Sequence, residues 1–162
     1  MSANLSSKPA PPVDGAGRRV LLVCARFNDV IVDRLEAGAR TALIDAGVNA
    51  DDVTTVYVPG ALEIPLALRA GLSSGEFDAG VALGVIIRGE TYHFEVVANE
   101  SARGVMDVAL ATGVVVTNAI LTVEDQAQAE ARSGAGIGNK GAEAARGALE
   151  LLDAIEALNA KS

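Results

Sequence analysis

The stretch FDAGVALGVII RGETYHFEVVANESARGVMDVALATG VVVTNAIL, residues 77–121, decides the fold. Its opening segment, 77–87, is a short apolar run of the kind found in a strand buried on both faces. Phe94, Val97, Ala98, Ser101, Val105 and Val108 then recur on one face of a helix predicted from about Thr91 to Thr112, with Gly113 as its stop. VVVTNAIL (114–121) returns to strand composition. A strand, a long helix and a second strand predict a crossover between parallel neighbours, and such crossovers are right-handed.

The same alternation extends in both directions. Upstream, RVLLVCA (19–25) predicts a strand, and Ile31, Leu35, Ala39, Ala42 and Ala46 line one face of a helix over 29–46 that ends at Gly47. VTTVYV (53–58) predicts a second strand closed by Pro59-Gly60, followed by a helix over 62–73. Downstream come a short helix (125–132), a glycine-rich turn (133–141) and a long Ala/Leu/Glu helix over about 139–159. The expectation is an α/β three-layer sandwich, with a four-stranded parallel, flavodoxin-like sheet and helices on both faces. Residues 1–17, rich in Ser, Pro and Ala, read as a flexible arm before a domain over 18–162.

Composition narrows the function. A net charge of −8 without a basic stripe argues against nucleic acid or an anionic membrane as partner. The apolar runs are too short to span a membrane and the start does not read as a signal peptide, so the cytoplasm is the expected compartment. One cysteine, Cys24, allows neither an internal disulfide nor a zinc cluster, and no paired metal ligands or Ser-His-Asp order stand out. Small anionic substrates remain open, because local Arg and Lys can still form a site.

In open parallel sheets ligands bind beyond the carboxyl ends of the strands. That rule points to 26–29, 59–63, 85–93 and 118–125. At the first, Asn28 or Asp29 reads as a helix cap, while Phe27 beside an amide suits stacking on a flat heterocycle. At the second, VPGALEIP (58–65), Pro-Gly reads as a turn and Glu63 as a favourable first-turn charge. Equally, small residues there admit a ligand to backbone donors, and Glu63 can accept from sugar-like hydroxyls. At the third, Arg88-Gly89-Glu90-Thr91 bends into a helix start whose free N–H groups suit a phosphate. His93, the one histidine, stands in that first turn, where an imidazole can accept and donate protons near neutral pH. A lone histidine is otherwise a surface or core filler. GIGNKG (136–141) matches G-x-G-x-x-G but lacks the preceding strand, so it reads as a helix–helix turn flanked by the cations Arg132 and Lys140.

Taken together, ARFND (25–29), VPGALEIP (58–65), LGVIIRGETYHF (83–94) with NES (99–101), and ILTVED (120–125) followed by GNKG (138–141) resemble the lumazine synthase family in order and spacing. The resemblance covers essentially everything from Arg18 onward. It implies condensation of 5-amino-6-(D-ribitylamino)uracil with 3,4-dihydroxy-2-butanone 4-phosphate to 6,7-dimethyl-8-ribityllumazine, the penultimate step of riboflavin biosynthesis, with no cofactor and no metal. It further implies that Phe27 stacks on the pyrimidine and that Asn28, Ala61, Leu62, Val85, Ile86, Ile87, Asn118 and Lys140 border it. Glu63 would take ribityl hydroxyls. Gly89, Glu90, Thr91 and Arg132 would hold phosphate, His93 would be the general acid/base, and Arg88 and Glu143 would give support. The family assembles as pentamers, some forming decamers or 60-subunit shells with sites shared between neighbours, and riboflavin synthase is a candidate partner.

Two positions depart from the pattern: many relatives carry an aromatic where Leu62 and Asn118 stand here. They are the support for an alternative, a weakly catalytic lumazine- or flavin-binding or shell-forming paralogue. A response-regulator-like signalling domain shares the coarse sheet pattern but needs an acidic cluster at 26–28 or 85–88, where none stands.

Overall fold

Four parallel strands form one sheet in the order β2-β1-β3-β4, with β1 Val20–Ala25, β2 Val53–Val58, β3 Ala79–Ile87 and β4 Val115–Val123. The computed structural model describes residues 8–136 and 138–161. Residues 1–7 of the predicted arm, Ile137 of the glycine-rich turn and Ser162 lie outside the described residues.

The helices are α1 Asp29–Asp45, α2 Ile64–Leu72, α3 His93–Thr112, α4 Gln126–Ser133 and α5 Lys140–Asn159. Every residue of β1 is buried, as a central strand covered on both sides requires. Val20, Leu22 and Cys24 point to one face, where Ile31, Leu35 and Leu43 of α1 meet Ala145, Ala148 and Leu149 of α5. Leu21, Val23 and Ala25 point to the other, against Ile64, Leu68 and Leu72 of α2 and Val105 and Val108 of α3. The predicted sandwich is therefore the observed one. Among the described residues no helix is long and apolar enough to cross a membrane.

Strand order is what positions the site. The chain leaves β1 for β2 on one side, then returns to place β3 on the other, so the direction of winding switches between β1 and β3. Loops diverge at such a point and leave a crevice at the strands' carboxyl ends. β4 lies at the sheet edge and pairs with β3 in register from Ala79↔Val115 to Ile87↔Val123.

The elements differ from expectation at their ends. β3 starts at Ala79 rather than at 77, because Asp78 is tied to Arg19 instead: its N–H donates to the Arg19 carbonyl and its carboxylate accepts from the Arg19 N–H, each at 2.8 Å. β4 runs two residues past its predicted end. The helix predicted from 62 opens as a 3-10 turn, Ala61–Glu63, before α2 proper, whose first turn accommodates Pro65. α3 begins at His93, two residues later than predicted. The end of the predicted arm is docked rather than free: Gly15 is buried and donates to the Ala46 carbonyl at 2.8 Å, and Val13 packs against the core.

Candidate active site

At the carboxyl end of β1 the main chain keeps its partner a little longer. Arg26 N–H donates to the Val58 carbonyl at 2.7 Å and Phe27 N–H to the Pro59 carbonyl at 3.0 Å. Asn28 then turns left-handed with φ 62°, the one non-glycine residue with positive φ among those described. Asn tolerates that region better than most residues. Its side chain makes no helix-capping bond; Nδ2 instead donates across the switch point to the Val85 carbonyl at 3.4 Å. For Asn28 the capping reading is thus replaced by a bridge between the ends of β1 and β3, while Asp29 Oδ1 accepts from the first-turn Val30 N–H at 2.8 Å. The turn leaves Phe27 62% exposed, an unusual state for a phenylalanine, with its ring against Gly60.

Glu63 folds back on the same corner. Its Oε1 accepts from the Gly60 N–H at 3.0 Å, which is the first-turn role expected of it, and Oε2 has no hydrogen bond among the described residues. Ala61 is buried and Leu62 exposed beside it. Across the crevice Val85 and Ile86 are buried, so main-chain atoms are what they can offer a ligand, whereas Ile87 is half-buried.

The turn after β3 leaves the amides of Gly89, Glu90 and Thr91 without intramolecular partners among the described residues. His93, the first residue of α3, is exposed, and its N–H donates to Thr91 Oγ1 at 3.4 Å. Arg88 is held from several sides. Its guanidinium bonds to Glu95 and, at 2.6 Å, to Glu124, and lies 4.3 Å from the centre of the Phe94 ring. Hydrogen bonds to the two carboxylates raise the Arg88 pKa, and the bond to Arg88 holds Glu95 below its ordinary value.

The other predicted residues form a separate group. Asn118, Arg132, Lys140 and Glu143 line a groove of about 360 Å³ along Thr117–Val123, and none of the residues from Phe27 to His93 lines it. Lys140 Nζ meets Glu143 at 3.0 Å, Arg132 donates to the Gln128 carbonyl at 2.9 Å, and Asn118 Oδ1 accepts from the Ile120 N–H at 2.7 Å. A larger cavity, about 460 Å³ between α1 and α5, contains none of the predicted residues. Sequence reasoning missed Glu95, Glu124 and Asn139. The last of these is buried and joins the end of α4 to the start of α5. The ED pair at 124–125 and Arg88 both stood in the quoted motifs; the pairing of Arg88 with Glu124 was the part the sequence did not signal.

One chain therefore presents an exposed Phe27 ring and an exposed His93 near the switch point and, apart from them, a groove at the sheet edge lined by Arg132 and Lys140. The family model of 6,7-dimethyl-8-ribityllumazine synthase matches residues 17–156. A 6,7-dimethyl-8-ribityllumazine synthase of Azorhizobium caulinodans is 53% identical over 146 residues, 87% of this chain and 87% of that one. Those of Gemmatimonas aurantiaca (48% identical over 142 residues, 88% of this chain and 87% of that one) and Cupriavidus metallidurans (47% over 147 residues, 91% and 85%) are similar too. The chain belongs to the 6,7-dimethyl-8-ribityllumazine synthase family.

Proposed function

We propose that this chain condenses 5-amino-6-(D-ribitylamino)uracil with 3,4-dihydroxy-2-butanone 4-phosphate, using the residues at the switch point as one part of the site. The observation that carries the reading is the exposed Phe27 ring, held beside Asn28 and Glu63 at the end of β1, with the open amides of 89–91 and His93 following β3. Phe27 stacks on the pyrimidine, and Ala61, Leu62 and Ile87 border it. Glu63 Oε2 accepts from ribityl hydroxyls. Gly89, Glu90 and Thr91 donate to the phosphate, which Arg132 clamps.

The reaction asks little of the protein beyond placement. The uracil amine adds to the ketone and loses water as a Schiff base, phosphate is eliminated, the resulting enol becomes a ketone, and the second nitrogen attacks that carbonyl and expels a second water as the ring closes. Holding two reactive partners in register accounts for most of the rate, and His93 moves protons between the steps.

The cationic groove with Asn118, Arg132 and Lys140 completes the site when it comes from a neighbouring subunit in a pentamer-based assembly. The support is that the groove flanks β4, whose outer edge has no strand partner among the described residues, and lies apart from the switch-point corner. Mixing the two substrates with protein and following lumazine absorbance tests the activity; a rate equal to the uncatalysed background overturns it. Light scattering on the same sample tests the assembly, and a monomer that is fully active overturns the shared site.

A further inference from the structure

Arg88 immediately precedes the turn read as the phosphate site, and its charge invites the same role. Its contacts argue otherwise. Nε donates to Glu124 at 2.6 Å, the terminal nitrogen bonds to Glu95, and the guanidinium face lies 4.3 Å from the centre of the Phe94 ring. Two carboxylates neutralise the group, so a phosphate at 89–91 meets little net charge from it. Stability does not explain the arrangement either: the Arg88 side chain is 39% exposed, and exposed ion pairs contribute little. What contacts from several directions do accomplish is to fix a planar fork in one orientation.

The contacts continue past Arg88. Its main-chain N–H donates to the Val123 carbonyl at 2.9 Å, fastening the start of the phosphate turn to the end of β4. The next residue, Glu124, donates its N–H to Gln128 Oε1 at 2.8 Å, and Asp125 caps the Gln128 N–H at 2.9 Å. The Gln128 carbonyl then accepts from Arg132 at 2.9 Å. A run of hydrogen bonds thus leads from the guanidinium beside the phosphate turn to the guanidinium in the cationic groove.

We propose that Arg88 is a positioning residue that, through Glu124 and Gln128, sets the phosphate turn and Arg132 in a fixed relation within one chain. The inference rests on the reading of Gly89–Thr91 and Arg132 as phosphate ligands. In a ring of subunits, where the turn serves one site and Arg132 the next, the same bonds join neighbouring phosphate subsites.

Inorganic phosphate is the direct probe, with its dissociation constant measured by calorimetry on the assembled protein alongside KM for each substrate. Arg88→Gln weakens inorganic phosphate and raises KM for the butanone phosphate by about tenfold, the scale of one misplaced charge-assisted hydrogen bond, while KM for the pyrimidine stays within about twofold. Glu124→Gln produces the same split, and the double variant is no worse than Arg88→Gln, because the two act along one connection. Arg88→Lys, which keeps the charge and loses the fork, falls between.

Unchanged phosphate binding in Arg88→Gln overturns the proposal, as does an equal loss for both substrates with a lowered melting temperature. Should Arg88→Gln fail to fold, Glu124→Gln decides by the same two outcomes. Wild-type protein that makes lumazine but ignores inorganic phosphate removes the phosphate turn and this proposal together. Absence of any lumazine formation overturns the functional reading alone, since the phosphate titration does not depend on turnover.

Discussion

The Phe27 ring rests against the main chain of Gly60 so closely that a Cβ added to Gly60 would lie 2.8 Å from Phe27 Cδ2. Gly60 itself is extended, at φ −145° and ψ −176°, so alanine there is free of backbone strain. Gly60→Ala therefore acts chiefly on Phe27, since the added Cβ meets Glu63 Oε1 only at 3.4 Å, an ordinary contact, and the exposed ring moves aside. Affinity for a lumazine analogue falls by about two- to tenfold, as expected for losing an aromatic contact worth ~0.5–1.5 kcal/mol, with little change in melting temperature. An unchanged dissociation constant shows that the ring does not stack on the ligand.

His93 stands exposed at the start of α3, where its imidazole has no packing duty to lose. His93→Ala leaves the fold intact and slows turnover by up to about 10⁴-fold, the upper end for a general acid/base. Single-turnover measurements separate this from slow product release. Wild-type rates in the variant take His93 out of the mechanism.

Arg132→Ala removes a guanidinium that, among the described residues, is anchored by one hydrogen bond, to the Gln128 carbonyl, so most of its donors are available to a ligand. KM for the butanone phosphate rises by about tenfold or more while that for the pyrimidine changes little, given ~1.5–3 kcal/mol for hydrogen bonds to a charged group. Equal effects on both substrates contradict the assignment.

The sheet and its helices were legible because apolar period and glycine stops are local signals. All four strands and the helices between them follow from runs such as VLLVCA and from the face shared by Phe94, Val105 and Val108. The site was legible only residue by residue. Asn28 carries the same local signature whether it caps α1 or reaches over to Val85, and only the neighbouring strand decides between the two. Glu124 lies 36 positions from Arg88, and their contact exists because β3 and β4 pair in register up to Ile87↔Val123. The division of the predicted residues into two groups follows from strand order, which hydrophobic pattern does not encode.

Burial pushes the Cys24 thiol up to about 12, with Glu36 and Asp33 adding to the effect. An unfolded thiol loses its proton near pH 8.5. Between about pH 9 and 12 the folded state holds a proton that the unfolded state has released, so stability is complete below that window and falls as pH rises through it. The slope is at most about 1.4 kcal/mol per pH unit for one proton. Tyr57, raised to about 12 by its hydrogen bond to Glu36, adds the same sign but less effect, since it is mostly exposed. Denaturant titrations across pH 8 to 11 show the decline, and Cys24→Ala flattens it; an identical slope in the variant assigns the decline elsewhere.

Asn139 is 4% exposed, and its carboxamide works in two directions. Oδ1 caps α5 by accepting from the Ala142 N–H at 3.0 Å. Nδ2 faces the carbonyls of Arg34, Ser133 and Gly134, each at 3.1 Å, and so binds the α4–α5 turn to α1. A Cβ on Gly38 would come within 2.3 Å of Oδ1, so the helix opposite is glycine at the point of contact. Asn139→Ala loses the cap, worth ~1 kcal/mol, and strands buried carbonyls at ~1–3 kcal/mol, a destabilisation of about 2–4 kcal/mol in urea unfolding. Asn139→Asp separates the two duties. Aspartate caps a helix as well as asparagine does, so a residue that only capped would tolerate it. Here the change sets a carboxylate, which has no donor, against three carbonyl oxygens. It is therefore the more damaging of the two, and it loosens the turn between Arg132 and Lys140, raising KM for the butanone phosphate. Wild-type stability in Asn139→Asp refutes the account and reduces Asn139 to an ordinary cap.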